Sequence, residues 1–464
     1  MRTGSDVAMI NTALPIPTAA GGLPVLGHAI PLMRDNLRFI ASLRDYGPLV
    51  KIYLQPGQPT IVVNRPDLIR KMLVDLAPNL DKGRFFEKMG QVLGGDSVVT
   101  AAGAAHVRAR RQLQPAFRHT EIARYVDLMR EEVTRTVEFW RPGQVVDVRE
   151  VMVKLSLDML VATVFSSSLD ERAFHQLRRD LSIVMNGVGT RIMLPDWVEK
   201  LPLPANRRFN ASRAAVRAII GDAVDELRAS GHDTGDMLSM LLRARDEETG
   251  APMTRHQVCS EILTLAVAGT ETTASVLSWI LYELARNPEV EERLHRELDN
   301  VLEGRPLTFD DVSRLPFLRN VITEALRLHH TGWLVTRRTL AATRLGDWDI
   351  PAGTELAYCQ HALHRDPALF PDPLRFHPDR WLDEKQVAAL PEGAWIPFGA
   401  GKHKCIGDHF ALTELTTAIA TITRSWRLEP STGREVRPVA RATVRPSTLL
   451  MKASVRSKAG RTPA

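Results

Sequence analysis

Apolar positions recur along most of this chain at three- and four-residue intervals, the spacing that lines one face of a helix. The pattern predicts helices over 64–76, 104–114, 120–139, 150–166, 170–187, 206–229, 234–245, 255–286, 288–303, 316–330 and 405–424. Strand signals are few. Leu49-Val-Lys-Ile-Tyr-Leu54 and Thr60-Ile-Val-Val63 flank Pro56-Gly57 as the arms of a hairpin would. A second group lies around Arg337–Ala357, where Ile350-Pro-Ala-Gly353 punctuates a turn. The expected fold is mainly α, a large helical domain with a small β-rich subdomain drawn from about 22–75 and 330–375. No long linker, repeat or low-complexity tract interrupts 22–451, which read as one domain. Residues 1–21 read as a flexible lead-in and 452–464 as a frayed basic tail.

The longest helix is the most informative. Thr254-Arg-His-Gln257 is a capping-box pattern at its start, and Asn287-Pro288 stops it. Thirty-odd residues span about 45 Å, enough to cross the domain. Ile262, Leu263, Leu265, Val267, Val276, Leu277, Trp279, Ile280 and Leu281 leave little polar face, which predicts burial. Ala268-Gly269-Thr270-Glu271-Thr272-Thr273 interrupts that pattern. Glycine costs about 1 kcal/mol relative to alanine inside a helix, and a buried carboxylate is expensive unless paired. Either this is a solvent-facing or tightly packed polar stripe, or small residues make room for a ligand beside groups that pass protons.

Composition narrows the class. The chain has 464 residues, 44% hydrophobic and 25% charged. These ordinary globular values exclude a disordered, collagen-like or disulfide-rich protein and allow a core that can enclose a cofactor. The three cysteines, Cys259, Cys359 and Cys405, contain no Cys-x-x-Cys spacing. They exclude a disulfide framework and a thiolate zinc site and fit a reducing cytosol. The net charge of +6 comes with no lysine-rich run or interleaved aromatic stripe, so nucleic acid is not an expected partner. The first thirty residues hold Asn11, Pro15, Pro17 and Pro24 and no apolar run of membrane-spanning length. A cytoplasmic protein without a membrane anchor is expected.

The second unusual segment is Pro397-Phe-Gly-Ala-Gly-Lys-His-Lys-Cys405-Ile-Gly407. Its glycines permit a tight loop and close backbone approach. Cys405 should open the final helix, where the dipole would favour the thiolate, and Lys402, His403 and Lys404 add basic groups. A thiolate iron ligand, a cysteine nucleophile with a base from elsewhere, and a buried structural cysteine are the three readings this segment allows.

Phe398-x-x-Gly401-x-His403-x-Cys405-x-Gly407 resembles the haem-binding loop of the cytochrome P-450 superfamily, and Ala268-Gly269-x-Glu271-Thr272-Thr273 resembles its oxygen-activating helix segment, in the same order. Glu324-x-x-Arg327, Phe376-His-Pro-Asp-Arg380-Trp381 and His106-x-x-x-Arg110 resemble further family motifs; many relatives have Trp where this chain has His106. The likeness spans nearly the whole chain. Gly22–Gly27, Leu201–Phe209 and Trp333–Arg338 add a likeness to actinobacterial members that oxidise sesquiterpenes.

The resemblance implies the cytochrome P-450 fold, haem b as cofactor and Cys405 as its axial ligand. It implies a haem contact for Phe398, Gly407, Ala268 and Gly269, and propionate binding by His106, Arg110, His403 and Arg337, although the adjacent Arg338 leaves the register ambiguous. Thr272 and Glu271 would be the alcohol and acid that manage protons during oxygen activation. Glu324, Arg327 and Arg380 would form a structural network under the haem loop. Phe85, Phe86, Met89, Val92, Val98, Leu265, Trp333 and Leu334 would line an apolar substrate pocket. The implied activity is insertion of one oxygen atom from dioxygen into a C–H bond of a hydrophobic small molecule, a sesquiterpene such as pentalenene by the narrower likeness. A separate ferredoxin and ferredoxin reductase would supply electrons to a monomer, docking on a face made basic by Arg108, Arg111, Lys402, His403 and Lys404. A peroxide-driven haem-thiolate enzyme and a non-enzymatic haem sensor are the competing readings. The acid–alcohol pair argues for dioxygen chemistry, because peroxide users need no proton relay.

Overall fold

The computed structural model describes residues 14–55, 57–166, 169–194, 196–433 and 435–456. Its axis is the helix Arg255–Arg286. The Thr254 hydroxyl accepts the Gln257 backbone N–H at 3.2 Å and the Gln257 side-chain Oε1 accepts the Thr254 backbone N–H at 2.7 Å, so both ends of the capping box are made. Asn287 and Pro288 end the helix where the sequence placed its stop. Its apolar residues reach neighbours on several sides. The helices Val148–Phe165, Pro204–Ser230, Pro316–Leu328 and Asp408–Ser425 all pack on it.

The expected β-rich part is a five-stranded sheet ordered Leu49–Gln55, Gln58–Val63, Glu355–Tyr358, Val335–Thr339 and Leu80–Asp81. The parallel register Thr60–Glu355 joins its two distant stretches. Pro56, at the hairpin tip, lies outside the described residues. A smaller sheet joins Val145–Asp147, Leu450–Val455 and Trp426–Pro430.

The lead-in and the tail differ from expectation. Ala19 N and Lys51 N exchange hydrogen bonds with Lys51 O and Pro17 O, and Ala19 is buried. Residues 452–455 are strand, not tail, and the buried Arg456 pairs with Asp299. Alternating burial in Leu450–Val455 supplies the reason, because Met451 and Ala453 enter the core. Residues 1–13 and 457–464 lie outside the described residues. Among the described residues, no helix is long and apolar enough to cross a membrane.

Candidate active site

The cysteine loop is shaped by its neighbours. Gly399 and Gly401 have φ of +72° and +66°, the left-handed region that favours glycine. A Cβ on Gly401 would lie 2.0 Å from Leu73 O, so only glycine fits. Phe398 O accepts the Cys405 N–H at 2.9 Å, and Arg110 Nη1 donates to Lys404 O at 2.7 Å. Arg110 therefore grips the loop backbone directly. The helix behind the loop begins at Asp408, so Cys405 precedes its first turn and the expected dipole effect is weakened. Surrounding protein atoms strip water from much of the Cys405 thiol and push it above its ordinary value, partly opposed by the Gly407 N–H, although one side of the residue stays open to solvent. A metal cation would reverse this, since a coordinating thiol is deprotonated outright.

Geometry separates the three readings of Cys405. Cys259 and Cys359 are 2% and 6% exposed, whereas Cys405 is solvent-accessible. It is not a buried structural thiol. His403 does not act as the base that the nucleophile reading needs, because neither of its ring nitrogens has a hydrogen-bond partner.

The long helix is almost wholly buried on either side of 267–272, yet Val267, Ala268, Gly269, Glu271 and Thr272 are partly accessible. A Cβ on Gly269 would meet nothing within 4 Å. Thr272 Oγ1 donates to Ala268 O at 2.8 Å, with Gly269 O at 3.2 Å. Its proton is thus committed to the helix, and its free lone pairs remain as acceptors. Glu271 lies 3.9 Å from Arg445 Nε. Burial raises its pKa, opposed by Arg149 and by the nearby Thr443 hydroxyl. One residue on, Thr273 lies near the buried Glu414 of the helix Asp408–Ser425, which packs on the long helix; burial pushes Glu414 up to about 8, opposed by Thr273.

A cluster of basic groups forms the third part. His106 and His403 lie ring to ring at 4.4 Å. Burial, then neighbouring cations, hold them neutral, His106 down to about 3 and His403 to about 2. His403 therefore faces inward as a neutral donor and adds no charge to the outer surface, contrary to expectation. The Arg337–Arg338 ambiguity resolves through strand alternation. Arg337 is 5% exposed and donates to Thr336 O, while Arg338 turns outward to Asp81 and Glu87. Lys82, unassigned from sequence, is buried beside this cluster. Its Nζ donates to Val98 O and Val99 O at 2.6 and 2.8 Å, and burial followed by Arg337 lowers it to about 7. Glu261 accepts the Val98 N–H at 2.9 Å from the other side. Nothing around Asp81-Lys82-Gly83 marks this lysine in sequence. The outer face is less basic than expected, because Arg111 pairs with Glu247 at 3.3 Å and Lys404 with Asp408 at 2.6 Å.

Glu324, Arg327 and Arg380 meet in one network. Arg327 Nε and Nη2 make paired bonds of 2.9 and 2.8 Å to Glu324, and both side chains are 0% exposed. Glu324 also accepts from His377 N, Trp381 Nε1 and Arg380 Nε at 3.0, 3.0 and 3.4 Å. Arg327 Nη1 donates to His364 O and Pro373 O.

The expected pocket residues do not form one wall. Met89, Val92, Val98 and Leu265 are buried in the main core, and Val92 is 1% exposed. Phe85 packs on that core and meets Phe86 edge to face at 5.3 Å. Trp333 and Leu334 pack against a different cluster around Ile40, Val50 and Ile52.

The family model for cytochrome P-450 matches residues 17–453. The chain belongs to the cytochrome P-450 family. It is 43% identical to cyclooctat-9-en-7-ol 5-monooxygenase of Streptomyces melanosporofaciens over 90% of each chain. It is 35% identical to pentalenene oxygenase of Streptomyces avermitilis over 95% of this chain and 97% of that one. The crystal structure of the cytochrome P450DA haem domain superposes with a TM-score of 0.86 at 27% identity, covering 97% of this chain and all of that one. The P-450 fold follows, and with it a monooxygenase whose relatives oxidise terpenes.

P-450 membership implies a haem-iron cofactor, and the residues present fit one. His106 Nδ1 and both His403 ring nitrogens are buried without partners. Among the described residues Arg337 has no carboxylate partner in hydrogen-bond or ion-pair range. Buried orphan donors and an unpaired guanidinium call for an anion, and haem propionates carry that charge.

Proposed function

We propose that this P-450 uses haem b, with Cys405 as axial ligand, to insert one oxygen atom from dioxygen into a C–H bond of a terpenoid. The observation that carries this reading is Cys405, accessible on a glycine-shaped loop, in a molecule whose long helix opens at Gly269–Thr272. When bound, a haem with a thiolate axial ligand supplies dioxygen activation, the thiolate favouring O–O cleavage.

The remaining work belongs to the chain. Arg337 and Lys82 supply the charge that holds the propionates, and the neutral rings of His106 and His403 each donate one N–H. Arg110 keeps the cysteine loop closed by its bond to Lys404 O. Gly269 leaves space beside the helix. Thr272, its proton held by Ala268 O, offers an acceptor that steadies a protonated ligand. Glu271, its pKa raised by burial, holds a proton to higher pH than a free carboxylate and passes it inward. Apolar side chains exclude bulk water from the reacting region.

The relatives' names suggest two probes, pentalenene and cyclooctat-9-en-7-ol. With a ferredoxin, its reductase and isotopically heavy dioxygen, one of these or a related terpenoid should gain a single labelled oxygen. Product labelled only from peroxide, or stable oxygen binding without turnover, would overturn the reading in favour of a peroxide-driven enzyme or a sensor.

Electrons come from a separate ferredoxin and its reductase. Arg108 and Lys402 offer it a basic docking face, and an acidic partner is steered there. The rate of haem reduction by an acidic ferredoxin should fall as salt rises; a salt-independent rate in stopped-flow would refute this docking.

A further inference from the structure

The His330 side chain joins two segments by hydrogen bonds at its two ring nitrogens. Its Nδ1 accepts the Gly332 N–H at 2.8 Å, and its Nε2 lies 2.8 Å from Pro397 O. Because Nδ1 accepts, Nε2 carries the proton and donates to Pro397 O. The ring is buried and packs edge-on against His364 at 5.1 Å. Its first partner lies in the turn Thr331–Leu334, and its second opens the loop that ends at Cys405.

Both segments are held on their far sides. Gln360 Nε2 donates to Ile396 O at 2.7 Å, and His364 Nε2 accepts the Ile396 N–H at 3.3 Å. From Pro397 the path continues through Phe398 O to the Cys405 N–H at 2.9 Å. On the other side, Thr331 O accepts the Val444 N–H at 2.7 Å, and Trp333 Nε1 donates to Arg441 O at 2.8 Å. Thr443 and Arg445 flank Val444 and face Glu271. Gly332 sits close to both side chains, since a Cβ there would lie 2.5 Å from Gln360 Oε1 and 3.1 Å from His330 Cε1.

We propose that His330 is a positioning residue that holds the cysteine loop from the turn Thr331–Leu334, so that displacing this turn disturbs the thiolate ligand. The proposal rests on the reading of Cys405 as haem ligand. His330 does not touch the iron or its ligand; it acts through Pro397 and Phe398. Removing it takes this partner from Pro397 O and from the Gly332 N–H, both only partly exposed, and the penalty falls on the two segments it joins.

The test uses the reduced, carbon-monoxide-bound holoenzyme, whose red-shifted Soret band reports an intact thiolate. In His330→Phe, which keeps an aromatic ring and loses both hydrogen bonds, the unshifted fraction should rise about tenfold over the wild type. His330→Gln, which reaches Pro397 O alone, should fall between. Trp333→Ala frees the turn from Arg441; it should raise the unshifted fraction in the wild-type background and add little in the His330→Phe background. An unchanged band in His330→Phe overturns the proposal, as does an effect of Trp333→Ala that is the same in both backgrounds. If His330→Phe binds no haem, His330→Gln carries the same comparison with the same outcomes. A wild type without the red-shifted band instead removes the reading of Cys405, and this proposal falls with it.

Discussion

Replacing Glu324 with alanine should cost about 3–5 kcal/mol, because it strands a buried guanidinium. Arg327 is fully enclosed and donates two bonds to this carboxylate. Its remaining bonds to His364 O, Pro373 O and Arg375 O satisfy donors and leave the charge uncompensated. The loss is comparable to the whole stability of many domains, about 5–15 kcal/mol. The same carboxylate also holds His377 N and Trp381 Nε1, so the segment around Arg380 should loosen with it. Urea unfolding followed by circular dichroism should show a much lower midpoint, and purified protein should retain little haem. A midpoint within experimental error of the wild type would show that this network is dispensable.

Thr272→Val should leave the fold and electron uptake intact and lower product formed per electron by about 100-fold, the lower end of the range for a lost proton-handling group. Valine preserves the branched shape, so the missing element is the hydroxyl held by Ala268 O. Electrons that no longer reach product should leave as hydrogen peroxide. Measuring peroxide and product against reductant consumed in one assay separates this outcome from simple inactivation. Unchanged product per electron would remove Thr272 from the account and favour the peroxide-driven alternative.

The helical frame was legible because its signals are local. Thr254 and Gln257 cap the long helix, and Asn287-Pro288 ends it, through contacts spanning three or four residues. The helix Ala29–Ser42 was not legible; Pro31 sits in its first turn and Asp35 breaks its backbone geometry, which scrambles the periodicity. The helix Arg84–Leu93 is short and bounded by Gly83 and Gly94, so it read as a pocket segment. In the site, Cys405, Gly269, Glu271 and Thr272 stand out because each violates the pattern around it. Lys82, Glu261, His330 and Arg445 do not. Their meaning comes from partners far along the chain: Val98 for the first two, Pro397 for His330 and Glu271 for Arg445. The same limit explains the charge of His403, which local sequence marks as basic and which tertiary burial makes neutral. Arg337 and Arg338 are indistinguishable as letters and are told apart by which face of the strand each occupies.

The most direct test of the account is the spectrum of the purified protein after reduction with dithionite and addition of carbon monoxide, compared between the wild type and Cys405→Ala. A strongly red-shifted Soret band in the wild type, absent in Cys405→Ala, is the predicted result. An unshifted haem band in the wild type, or a red-shifted band that survives the substitution, would contradict the assignment of Cys405 as the ligand.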